Sequence, residues 1–130
     1  MTRPIAALAL TALLLLPACT TLADAVDARG TGTRQEFAPA PDRMFAVVVT
    51  ALDRAGLEVV SADRATGTIL AQRRATWPGD DGENVAVFVQ PAPGGRTAVE
   101  VVGKRATTTQ VWNGTSEAKI MRAIAEGLAG

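Results

Sequence analysis

Two alternating runs joined by a short Pro/Gly turn constrain this chain most. In residues 84–90 (NVAVFVQ), Val85, Val87 and Val89 recur at every second position, and in 96–104 Val99 and Val101 keep the same period. A period of two puts these valines on one face of a strand. The intervening 91–95 (PAPGG) is turn chemistry and long enough only to reverse the chain. The pair predicts an antiparallel hairpin with an apolar face that another layer must cover.

The segments before it extend the sheet. Residues 57–62 and 68–74 read as two further strands, with Asp63 to Gly67 as the turn between them. The cover comes from two amphipathic stretches. Pro39, Pro41 and Asp42 open the first, whose Phe45, Val48, Val49 and Leu52 share one stripe. Val47, Val48, Val49 and Thr50 would also suit a strand, but the entry signal, the charged Asp53-Arg54 end and Gly56 as a stop favour a helix. The second runs from a cap at Thr115 or Asn113 to about residue 129, with Ile120, Met121, Ile124 and Leu128 on one face. The expected fold is α+β: a four-stranded antiparallel meander with two helices packed on one face, in the order α-β-β-β-β-α, over residues 37–130.

Residues 20–36 are rich in Thr, Ala, Gly and Asp and lack sustained periodicity, so they read as a flexible tether; a nascent helix at residues 22–28 is compatible with the sequence but has little to bury. Fully extended they would reach about 60 Å. Before them lies a secretory signal: Arg3, an apolar core from Ile5 to Leu16, then small residues around a cleavage point. The core is too short to span a bilayer, which takes about 20 apolar residues.

Leu16, Ala18 and Cys19 form a lipobox, with Pro17 at its permissive position, and by it the chain resembles the bacterial lipoproteins. That resemblance implies removal of residues 1–18, diacylation of Cys19 on sulfur and acylation of its new amino group. Thr20 stands where inner-membrane retention would call for Asp, which implies an outer-membrane location facing the periplasm (or the outer face of the cytoplasmic membrane, in a cell without an outer membrane). Several acyl chains anchor durably where one anchors only marginally. The globular part, through Phe45, Leu52, Gly56, residues 67–71 and Val85 to Val89, is similar to the small helix-plus-sheet domains of BamC-like periplasmic lipoproteins. That likeness implies a helix-on-sheet fold and an envelope-assembly setting.

Composition narrows the chemistry. Thirteen basic residues balance 13 acidic ones in the whole chain, so it carries no basic footprint for nucleic acid. There is no His, and the single Cys is the lipobox one, so no thiol remains for catalysis, a metal or a disulfide. Ser61 and Ser116 lie in no catalytic motif. Asp80, Asp81 and Glu83 flank Gly82 in a way that could suit calcium, but they lack the spaced oxygens of a full loop and read as a solvated turn. Asn113, Gly114 and Thr115 match a glycosylation sequon and read as a turn and helix cap. No enzyme, cofactor or metal is expected beyond the covalent lipid on Cys19.

In a meander the second and fourth strands run the same way. Their ends would gather Arg73 and Arg74 with Lys104 and Arg105, and the following loops would add Trp77 and Trp112. Trp and Arg are favoured interface anchors, so this end is either a partner-binding surface or a plug closing the core. Two functions follow: a membrane-anchored, non-catalytic accessory or scaffold domain in envelope assembly or maintenance, or a periplasmic module binding a lipid or cell-wall fragment.

Overall fold

The computed structural model describes residues 19–75, 82–107 and 115–130. The expected signal segment, residues 1–18, and the residues Trp77, Asp80, Asp81, Trp112 and Asn113 lie outside the described residues. In chain order the elements are α1 (Leu22–Asp27), β1 (Thr33–Phe37), α2 (Pro41–Arg54), β2 (Glu58–Asp63), β3 (Thr68–Arg73), β4 (Glu83–Ala92), β5 (Arg96–Arg105) and α3 (Glu117–Ala129).

The fold is α+β, and the expected meander of β2 to β5 is present with antiparallel pairing throughout. One element was not foreseen, and a second was expected at most as a nascent helix. Among the described residues the sheet has five strands in the order β1-β5-β4-β3-β2, because β1 pairs with the outer edge of β5, Thr33 opposite Val101 and Phe37 opposite Thr97. A third helix, α1, precedes it. The expected tether is therefore folded, and the body begins at the residues directly after Cys19 rather than at 37.

The physical reason is that neither element needs an apolar stripe. Thr33 to Glu36 are exposed and only Phe37 is buried, so β1 is held mainly by its backbone ladder on an open strand edge. Helix α1 is short and buries only Ala25, but Thr21 and Asp24 form a reciprocal capping box that satisfies its first donors. Glu100 then accepts hydrogen bonds from the Gly30 and Gly32 N–H groups at 2.7 and 3.0 Å, fixing the turn between α1 and β1 to the sheet.

The core lies mainly between the sheet and the pair α2/α3. Ile69, Val85, Val87, Val99 and Val101 meet Met44, Val48 and Leu52 of α2 and Ile120 and Ile124 of α3, all fully buried. Helix α2 resolves the β-branched ambiguity at 47–50: Pro41 sits at its first turn and Gly56, at φ +85°, takes the left-handed position that ends it. The opposite sheet face is covered too. Ala25 packs on Ala86, Phe88 and Val102, and the Arg29 guanidinium lies 4.5 Å from the Phe88 ring centre. Helices thus flank both faces, two on one and the short α1 on the other. Among the described residues, no helix is long and apolar enough to cross a membrane.

Candidate functional site

The chain emerges at one end of the sheet, and the groups read from sequence can be placed around it. Among the described residues, β1 pairs along β5 only as far as Val101, and β5 runs on beyond it to Arg105. Unpaired backbone groups on such an edge need partners. Three come from elsewhere in the fold. Glu117 Oε1 accepts from Gly103 N at 2.9 Å, Thr20 N donates to Ala106 O at 2.8 Å, and Thr20 Oγ1 donates to Arg105 O. Cys19 itself bridges Thr107 and is exposed.

Thr20 is held from the other side by a side-chain relay across the sheet. Asn84, only 5 % exposed, donates from Nδ2 to Thr20 O at 2.9 Å and to Thr20 Oγ1 at 3.2 Å. Gln72 Nε2 donates to Asn84 Oδ1 at 2.9 Å. The residue next to Cys19 is therefore tied to β4 and β5, and through Asn84 to β3.

The register brings the basic pairs to this end. Arg73 and Arg105 stand on either side of Glu83, and Gln72 and Lys104 on either side of Asn84. Arg74 follows Arg73 and pairs with Glu58 of β2 at 3.1 Å, with both side chains well exposed. Arg73, Arg74, Lys104 and Arg105 are thus neighbours at one sheet end. Trp77 and Trp112, the other two members of the proposed surface, lie outside the described residues.

Glu83 departs from the solvated turn expected of it. It is the first residue of β4 and its side chain is fully buried. Ser116, at the start of α3, donates from its N at 2.7 Å and from its hydroxyl at 2.5 Å to the carboxylate, and Arg73 Nε lies 3.8 Å away. The N-cap is Ser116 rather than Thr115, and the carboxylate supplies the cap that its side chain does not, favouring the positive end of the helix dipole. Both of its oxygens are committed to Ser116, so Glu83 acts as a structural group. Gly103 makes this possible: a methyl there would collide with Glu83 Oε1 and the Thr115 side chain. Sequence reading missed this because Glu83 closes an acidic run that resembles a surface turn.

Two clefts open beside this end on the helix side. One, of about 370 Å³, is lined by Gly56, Glu58, Arg73, Arg74 and Lys119 among others. Its neighbour, of about 220 Å³, includes Arg54, Lys119, Arg122 and Glu126, and the two share Ala55 and Lys119. A third, of about 260 Å³, follows the seam between α2 and α3 past Arg43, Val47, Thr50 and Gly127. All three lie outside the packed layer between helices and sheet.

Comparison with known proteins gives no relative from which a role could be carried over: no family model matches the chain, and no curated protein matches it.

Proposed function

We propose that this protein is a bacterial lipoprotein, anchored by acyl chains on Cys19. Its body serves as a non-catalytic accessory or scaffold domain in assembly or maintenance of the outer membrane, on the periplasmic face. The observation that carries the anchor reading is the place of Cys19. It stands at the lipobox position and is exposed at the end of the sheet, where acyl chains can leave the body without disturbing its core.

The packing favours a scaffold over a module for a small ligand. A ligand module would open a pocket between helices and sheet. There, Val48, Leu52, Ile69, Val87, Val101 and Ile120 are all fully buried in one cluster. What the body offers a protein partner is the β2 edge. Among the described residues β2 pairs only with β3, its ladder is bulged between Val59 and Ser61, and Val60 is 53 % exposed. An open strand edge carries unpaired backbone groups that another chain can pair with.

Cell fractionation of Cys19→Ser alongside the unaltered protein, with the mass of the N-terminal peptide, tests the anchor. Loss of acyl mass and release from the membrane is expected, and unchanged membrane attachment of Cys19→Ser contradicts it. A photo-crosslinker at Val60 tests the scaffold reading in cells. Capture of outer-membrane assembly or maintenance proteins supports it, and no protein adduct at that position contradicts it.

A further inference from the structure

We propose that the Cys19 end of the body is a membrane-contact face, seated directly on anionic lipid headgroups of the membrane that holds the anchor. The inference rests on the reading that Cys19 is acylated and goes beyond it. An acylated cysteine fixes where the chain meets the lipid, but an ordinary tether would let the body stand off at any angle. Among the described residues, no tether follows Cys19. Thr20 is hydrogen-bonded to Arg105, Ala106 and Asn84, and Thr21 already caps α1. The slack between acyl chains and folded body is limited to the bonds of Cys19 itself.

That geometry presses one particular surface toward the headgroups. Helix α3 begins at the Cys19 end, since Glu117 is bonded to Gly103 and Ser116 to Glu83, and α2 finishes there, ahead of Glu58 opposite Gln72. Arg54, Arg74, Lys119 and Arg122 are exposed around the two clefts at this end, with Lys104 half-buried in the adjoining strand. Glu58 and Glu126 line the same clefts, and Glu58 is already paired with Arg74. Among the described residues, cations therefore outnumber acids in both clefts, although the whole chain is neutral. Attraction between such cations and anionic lipid acts over roughly one Debye length, about 8 Å at physiological salt. The absence of a tether keeps them within reach. The opposite end of β5 is about 30 Å away, so Arg96 and the Pro93–Gly95 turn face away from the lipid. The β2 edge is left open for a partner.

The test uses the acylated mature protein in vesicles carrying a headgroup quencher, with a fluorophore on an introduced cysteine at one of two exposed positions. Ala118→Cys marks the near end and Thr66→Cys the far end. In phosphatidylglycerol-containing vesicles the Ala118 label should be quenched at least about threefold more than the Thr66 label, given the strand-length separation. Replacing phosphatidylglycerol by phosphatidylcholine, or reversing Arg54→Glu with Lys119→Glu, should shrink that difference. Equal quenching of the two labels overturns the seated orientation. A near-end signal indifferent to both anionic lipid and charge reversal overturns the headgroup contact. The N-terminal peptide mass is read first on the same sample: an unacylated Cys19 sinks the anchor reading and this inference with it, whereas an acylated Cys19 with equal quenching sinks the seat alone.

Discussion

The carboxylate of Glu83, buried at the first residue of β4, accepts two hydrogen bonds from Ser116, one from the backbone N at 2.7 Å and one from the hydroxyl at 2.5 Å. This joins the start of α3 to the middle of the sheet, beside the point where Cys19 enters. Glu83→Ala leaves the two Ser116 donors without this buried acceptor and removes the carboxylate beside Arg73. The expected loss is about 3 kcal/mol, the scale for charged hydrogen bonds broken in the interior. Glu58→Ala, which breaks an exposed ion pair, should cost under about 1 kcal/mol. Urea denaturation of the two variants checks the contrast, and equal losses would refute the capping role.

Gly103 and Glu83 should behave as one unit. Gly103→Ala forces a methyl into the carboxylate, and overpacking of this kind costs about 1–3 kcal/mol. In Glu83→Ala the obstruction is gone, so the second substitution should cost less than it does alone. A double-mutant cycle should show coupling above about 0.5 kcal/mol. Strict additivity would mean that the collision is relieved elsewhere.

Phe88 is the test of the second sheet face. It is 2 % exposed, packed under α1 and capped by Arg29. Phe88→Ala should destabilise the body by about 3 kcal/mol and release α1. Hydrogen exchange should then rise at Ala25 and Ala28, whose amides are bonded within that helix. A stability loss with α1 still protected would show that the capping box holds the helix unaided.

Val60 should matter to partners and not to folding. It stands 53 % exposed at the bulge of an edge strand. Val60→Lys should change stability by under about 0.5 kcal/mol, because it buries and unpairs nothing. The added charge should block strand addition at that edge and abolish crosslinks from neighbouring Ser61. Retained crosslinks would move the partner surface elsewhere.

What the sequence made legible was the part whose side chains face a core. Alternating valines announced β4 and β5, the stripes of Phe45 to Leu52 and Ile120 to Leu128 announced α2 and α3, and Gly56 marked the end of α2. The missed elements carry little such signal. In β1, Thr33 to Glu36 are exposed and the strand is specified by the free edge of β5, a partner far away in sequence. Helix α1 buries only Ala25. A sharper clue was present in β4, where Ala86 and Phe88 are apolar on the face away from the valines and imply a second cover. At the candidate site, strand direction alone gathered Arg73, Arg74, Lys104 and Arg105. Burial of Glu83 depended on a glycine in another strand and a serine at a helix start, a coincidence of three distant positions.

Hydrogen exchange across residues 20–37 of the protein tests the central claim most directly, that the chain passes from Cys19 into the fold without a tether. The amides of Thr20, Gly30 and Gly32 have acceptors in Ala106 and Glu100, and β1 is paired along β5. These sites should exchange at least about 100-fold more slowly than an unstructured chain, as for amides that open only with the surrounding structure. Exchange at the rate of a free coil from Thr20 through Glu36 would restore the tether and contradict the account.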